Sequence, residues 1–288
     1  MDLAAIVGLN VLSGIASLVL ISLGLAIIFG MMKIINLAHG EFLMLGAYAT
    51  VLSANHGVNI WVAMLVISPV FVGLVGMLVE RTLIRLLYGR LVDTMLATWG
   101  LSLFIVGLVT MIFGNTINGV PTPLGGFQVG AYRSDLYTPF LALVALLLLC
   151  GVVVTLRYTR FGLIARATMQ KPDMASALGV DPDRVYMATF GIGAAVTGLA
   201  GGLLAPVSGV SPTMGSAFVA KAFITVVGGG ASILAGTASA SLLFGTINQM
   251  GSYLTTPVFG EVILLVAATL LIRVLPEGIT GRYFKGSL

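Results

Sequence analysis

The chain has 288 residues, of which 58% are hydrophobic and only 8% charged, with a formal net charge of +4. A soluble domain carries about 25% charged residues, and a globule this apolar lacks the polar groups to cover its surface. Soluble folds are therefore excluded. Nucleic-acid binding is excluded too, because the basic residues are interspersed between long apolar runs.

The first uncharged run, Leu3–Met32, is long enough to cross a bilayer. Asp2 precedes it in place of a basic cluster, so no cleavable signal peptide is expected. Next comes Lys33-Ile-Ile-Asn-Leu-Ala-His-Gly-Glu-Phe42, a polar patch in apolar surroundings. Gly40 is a poor helix-interior residue, which predicts a helix break here. Glu41 then stands near the start of the next helical piece, where a carboxylate complements the positive end of the helix dipole. If the stretch is helical instead, Asn36, Gly40 and Leu43 share a face, with His39 beside them. Two readings follow. The polar groups satisfy a broken backbone, or they line a solute path, since discontinuous helices and intramembrane ionisable residues mark such paths. The candidate pathway residues are Asn36, His39, Gly40 and Glu41, joined further along the chain by Thr98 and Asn248.

Phe42–Asn55 is a shorter apolar run, and Val58–Val79 a full-length one that ends at Arg81, Arg85 and Arg90. Thr94–Tyr132 is interrupted by Asn115-Thr-Ile-Asn-Gly-Val-Pro-Thr-Pro-Leu-Gly-Gly, which ends a helix and opens an aqueous loop. Leu136–Leu156 holds Cys150, the only cysteine. It is expected to be a small buried hydrophobe. One cysteine forms no internal disulfide, and no Cys/His cluster has metal-ligand spacing, so no metal or other cofactor is expected.

The longest polar stretch runs from Arg157 to Arg184. Within it, Pro172 suits the first turn of a helix, Asp173 its dipole and Gly179 its stop. Met174, Ala177 and Leu178 share one face of that short helix, as a docking surface or as a solvated connector. Val185–Ala220 carries the small-residue face Gly191 to Gly202, which lets helices approach closely, and then the turn Pro206-Val-Ser-Gly-Val-Ser-Pro212. Ala222–Gly260 is broken at Gly228-Gly-Gly230, and Val262–Ile272 is the last apolar run. Each half thus contains an apolar helix, a glycine break and another apolar helix, the arrangement of a transport site between structural repeats.

These runs predict an all-α polytopic transmembrane helical bundle, residues 1–288 forming one domain of about eight or nine membrane segments, some discontinuous. Lys33, Arg81, Arg85, Arg90, Arg157, Arg160, Arg166, Lys171, Arg184, Arg273, Arg282 and Lys285 fall on one side, and Arg133 and Lys221 on the other. The positive-inside rule makes the first side cytoplasmic, with loop 157–184 and the carboxyl terminus inside and the amino terminus outside. No phosphate-binding loop and no nucleophile with an adjacent base is present, so the chain is not read as an enzyme.

Ile28-Phe-Gly-Met-Met-Lys-Ile-Ile-Asn-Leu-Ala-His-Gly-Glu41, Glu80-Arg81, Arg160-Phe-Gly-Leu-Ile-Ala-Arg-Ala167, Ala177-Leu-Gly-Val180, Lys221-Ala-Phe223, Val227 to Thr237 and Leu275-Pro-Glu-Gly-Ile279 together resemble the permeases of ATP-binding cassette importers for branched-chain amino acids and urea. The resemblance implies a multi-pass permease of the bacterial cytoplasmic (inner) membrane. It implies a second homologous permease, two cytoplasmic ATP-binding subunits that use ATP and Mg, and an external solute-binding protein. The coupling segment would hold Arg166, Asp173, Met174, Ala177, Leu178 and Gly179. Tyr88 to Leu103 is more similar to the urea and short-chain-amide branch, so a urea or short-amide solute is expected, with branched-chain amino acids as the alternative. A secondary transporter or passive urea channel is the competing class, and neither needs a cytoplasmic docking helix.

Overall fold

The computed structural model describes residues 2–129, 132–230 and 232–281. Helix α1 (Asp2–Met32) is followed by a non-helical link and α2 (His39–Asn55). Helix α3 (Ile60–Val62) passes through a π-helical turn, Ala63–Ile67, into α4 (Ser68–Thr82). The π-turn has a local cause. Pro69 has no N–H to give and its ring collides with the carbonyl one turn back, so the ladder widens ahead of it. A 3₁₀ turn, Ile84–Leu87, leads to α5 (Leu91–Phe113). Strands β1 (Gly126–Val129) and β2 (Tyr132–Asp135) pair antiparallel, Gly126 opposite Asp135. Then come α6 (Tyr137–Tyr158), α7 (Arg160–Gln170), α8 (Pro172–Ala177), α9 (Pro182–Ser208), α10 (Met214–Gly229), α11 (Ile233–Leu254) and α12 (Pro257–Val274).

The chain divides into two compact units, residues 23–120 with 151–220, and residues 1–22 with 121–150 and 221–288. In the first, α2 is buried on almost every side, with Phe42, Leu43, Met44 and Ala47 all at 0% exposure. A helix apolar all round belongs in an interior. It packs against α4 and α9 through small residues. A side chain at Gly201 would come within 1.9 Å of the Leu43 carbonyl oxygen, and one at Gly46 within 2.2 Å of that of Gly198. The Ser68 hydroxyl sits between the Gly46 and Gly198 carbonyl oxygens, at 3.0 and 2.6 Å. Such backbone proximity is how helices associate where lipid removes the hydrophobic incentive.

In the second unit the amino-terminal half of α1 meets α11, where a side chain at Gly14 would lie 3.3 Å from the Gly245 carbonyl oxygen. The glycine break behaves as the sequence suggests, with Gly230 at φ +85° between α10 and α11. The orphaned carbonyls at the end of α10 are taken up by the returning carboxyl-terminal segment. Ile279 N–H donates to Gly228 O at 2.9 Å and Thr280 N–H to Gly229 O at 3.1 Å. The Thr280 hydroxyl also donates to Gly229 O at 2.6 Å and accepts from Ser232 N–H at 3.1 Å.

Several expectations change. Among the described residues six helices are long and apolar enough to cross a membrane, or seven if the bent pair α10–α11 is one span. Two features account for the smaller number. Helix α2 has 17 residues and so is about 25 Å long, short of a ~30 Å hydrocarbon core. The pair Met214–Gly229 and Leu234–Leu254 is bent by 118°, so its pieces are not two straight crossings. The loop after α5 holds the β1–β2 hairpin, with Arg133 in β2, so the chain is not wholly helical. Lys221 lies within α10 and not in a loop. Cys150 is exposed on α6, not buried. Arg282 and Lys285 lie outside the described residues.

Gly201→Val should lower the thermal midpoint of the purified protein by several degrees, reflecting about 1–3 kcal/mol of overpacking. Gly107→Ala on α5, where nothing lies within 4 Å, should leave it unchanged or slightly raised; differential scanning fluorimetry in detergent distinguishes them.

Candidate functional site

The polar patch between α1 and α2 is built by a helix that stops early. Lys33 adopts φ +54°, a left-handed conformation unusual for a residue with a side chain, while its N–H still bonds Phe29 O at 2.9 Å. The next five residues are not helical. Asn36, at 0% exposure, folds its Oδ1 back to accept from Ala38 N–H at 3.0 Å. This local turn substitutes for the missing helical partner. The preceding amide, Leu37 N–H, donates to Thr98 Oγ1 on α5 at 3.1 Å. Thr98 in turn donates to Thr94 O at 2.9 Å. Asn36 and Thr98 therefore cap consecutive amides of one unwound segment.

Glu41 lies in the first turn of α2 and is 4% exposed. Ser102, one turn beyond Thr98 on α5, is within hydrogen-bonding reach of its carboxyl group. His39 is fully buried beside it in the chain. Two polar atoms have no partner within the chain, the Asn36 Nδ2 donor and the Glu41 Oε2 acceptor. A buried polar group left unmatched costs about 1–3 kcal/mol. The site thus offers a donor and an acceptor to a polar guest, next to the amide-rich start of α2.

The pathway candidates separate on this geometry. Asn36 and Thr98 come together at the unwound link and Glu41 faces Ser102 one turn along α5, while His39 is buried at the start of α2; Asn36, in the link, shares no helical face with Gly40 and Leu43. Gly40 is inside α2 and not at the break. Its role there is a close crossing, since a side chain on it would come within 2.1 Å of Gly215 O on α10. Asn248 belongs to the other unit, on α11.

A second set gathers at the ends of α4 and α9. Glu80 is 1% exposed and accepts from the Tyr88 hydroxyl, and Arg85 pairs with Asp183 in the first turn of α9. Tyr88 and Tyr186 rings pack with centroids 4.8 Å apart. Burial, and then the bond to Glu80, hold the Tyr88 phenol well above its ordinary pKa. These contacts tie the start of α9 to the end of α4 and the segment after it, and α7 and α8 also pack against α9. Helix α7 was not expected. Its cap is Thr159, whose hydroxyl accepts from Gly162 N–H at 3.1 Å. Helix α8 begins at Pro172 as expected, with Asp173 in its first turn, and turns out through Gly179 at φ +83°. It buries Ala175 and leaves Met174 62% and Leu178 83% exposed, with Ala177 exposed between them. Arg166 is half-buried on α7.

Ser102 and the Glu80–Tyr88 contact were missed from sequence, though signals existed. Thr94, Thr98 and Ser102 recur every four residues in an otherwise apolar helix, a polar stripe on one face. Glu80 is a carboxylate in the last turn of a helix, where the dipole disfavours it unless a partner is present. Among the described residues no group of three or more His, Cys, Asp or Glu side chains is placed to hold a metal ion.

Residues 7–275 match the family model described as "Branched-chain amino acid transport system / permease component". The chain is 28% identical over 279 residues to the high-affinity branched-chain amino acid transport system permease protein LivH of Escherichia coli, covering 91% of each chain. It is 29% identical over 280 residues to the permease protein BraD of Pseudomonas aeruginosa, again 91% of each. It is 26% identical over 285 residues to a probable LivH of Methanocaldococcus jannaschii, covering 93% of this chain and 90% of that one. No solved structure matches. These relatives carry the name of branched-chain amino acid systems, so the expected urea or short-amide branch finds no support among them, and the alternative fits better.

Thr98→Val keeps the shape and removes the acceptor of the Leu37 amide. It should destabilise the protein by about 1–3 kcal/mol, seen as a lower thermal midpoint, and Thr98→Ser should recover most of the loss.

Proposed function

The chain belongs to the family of branched-chain amino acid transport permeases, and from that premise we propose that it is the membrane subunit of an ATP-driven importer of branched-chain amino acids. An external binding protein delivers the solute. The chain pairs with a second homologous permease, and two cytoplasmic subunits hydrolyse ATP with Mg. This chain binds no cofactor of its own and catalyses no reaction. It resides in the cytoplasmic membrane with its amino terminus outside and the 157–184 segment inside, following the bias of basic residues.

The observation that carries the ATP-driven part is α8. Met174, on a six-residue helix outside the candidate spans, and Leu178, which caps that helix, are large, apolar and exposed. Burying a leucine-sized side chain is worth roughly 1.5–3 kcal/mol, so a partner cleft that receives these two gains a firm hold. Ala177 completes that face, Arg166 flanks it, and Asp173 and Gly179 set the helix start and stop. The unwound 33–38 segment, with the free Asn36 donor and Glu41 acceptor, lines the solute's route. The route opens to either side alternately as the ATPases cycle. The same relatives' names favour amino acids over urea or amides.

The test is reconstitution of the whole complex in liposomes with its binding protein. ATP-dependent uptake of leucine should exceed that of urea and acetamide. In Ala177→Asp, ATPase activity should cease to respond to the loaded binding protein, because a charge buried in the cleft has no partner there. Preferential uptake of urea would overturn the solute assignment, and full ATPase stimulation in Ala177→Asp would make α8 a mere connector.

A further inference from the structure

Among the described residues, the basic side chains of the candidate spans cluster at helix ends, with one exception. Arg81, Arg157 and Arg273 each stand one residue from the end of their helix, and Arg184 is in the first turn of α9. Lys221 is in the middle of α10, about 10 Å along the helix from its first residue. Its Nζ lies 2.5 Å from Oε1 of Glu261, in the second turn of α12. Among the described residues, the ion pairs Arg85–Asp183, Arg90–Asp93 and Arg184–Asp181 all lie at helix ends.

The pair is not sealed. The Lys221 side chain is 25% exposed and that of Glu261 56%. A half-exposed pair contributes little to stability, and charges at membrane depth are expensive unless a partner or a watery path faces them. The chemistry of the pair suits one class of guest. A zwitterion carries a carboxylate and an ammonium group on one carbon. It can open the pair, place its carboxylate on Lys221 Nζ and its ammonium on the Glu261 carboxylate, and replace one charge-assisted bond by two. The net charge of the site stays zero throughout. Urea or an amide carries no such charges and gains nothing comparable. Val258 and Leu265, a turn to either side of Glu261 on α12, are also exposed and offer apolar surface to an aliphatic side chain.

We infer that Lys221 and Glu261 receive the α-carboxylate and α-ammonium of an aliphatic amino acid on its way through the permease. This rests on the reading of the chain as an amino-acid permease and adds the groups that recognise the zwitterion.

The experiment uses the complete complex in liposomes with its binding protein, and leucine as the probe. Lys221→Met combined with Glu261→Gln leaves no unpaired charge, so a merely structural tie predicts normal uptake. The inference predicts a fall of about tenfold or more, the scale of a lost hydrogen bond to a charged group, with the ATPases still co-eluting with the permease. A second variant guards against misfolding. Lys221→Cys in a Cys150→Ala background should regain uptake when modified with aminoethyl methanethiosulfonate, which restores an ammonium group, and not with the uncharged methyl reagent. Uptake within twofold of native by the neutral double variant, or equal rescue by both reagents, would overturn the inference while leaving the amino-acid permease reading intact. Failure of the native complex to carry any amino acid would instead remove that reading itself.

Discussion

Backbone that leaves its helix inside a bilayer must still bond its amides and carbonyls, because the surrounding hydrocarbon offers no partner. Two largely buried stretches of this chain meet the same demand, each within its own unit. At the first break, Asn36 bonds the Ala38 amide and Thr98 the Leu37 amide. At the second, Thr280 and Ile279 return from the carboxyl-terminal end to bond the Gly228 and Gly229 carbonyls. Each solution takes at least one partner from distant sequence, Thr98 in the first and the 279–280 segment in the second. The breaks therefore persist only while α5, or the 275–280 segment, is docked.

Small residues make the first solution possible. The contacts of Gly46 and Gly201 bring α2 and α9 to backbone distance and leave α2 buried over most of its surface. A helix so enclosed can start in the interior with Glu41 in its first turn, shielded from lipid. The same enclosure leaves the Asn36 Nδ2 and one Glu41 oxygen without partners in the chain. Stability alone would favour filling or removing such groups. Under the proposed function these are the groups that meet a polar guest.

Much of this was legible in the residues, and the misses have physical causes. The break before Glu41 and the stop at Gly230 were readable because glycine, a lone basic residue and a carboxylate interrupt apolar runs. The α8 start at Pro172 and its exit at Gly179 followed from local capping rules. Gly40 falls in the first turn of α2, just past the break, and its close approach to Gly215, which explains a glycine there, is not visible in sequence. Lys221 was read as a loop residue because charge was taken to mark helix ends; its partner Glu261, 40 positions away, is invisible to any local pattern. Six or seven helices are long and apolar enough to cross, which leaves the expected eight or nine segments unconfirmed, since hydropathy gives apolar length and not direction, and neither the shortness of α2 nor the bend after Gly229 appears in composition. Solute identity was the least legible of all, because the stretch that suggested amides, Tyr88 to Leu103, supplies Thr98 and Ser102 as structural partners of the break.

The central claim is that the unwound segment and the start of α2 form part of the solute's route and are not only a joint. Uptake of leucine by the reconstituted complex carrying Asn36→Ala or Glu41→Gln tests it most directly, with assembly followed by size-exclusion chromatography. The account predicts complexes that assemble as the native one does and transport at least about tenfold more slowly, the scale of one lost polar contact at a buried site. Native rates of uptake in both variants, or a loss of assembly in both, would contradict it.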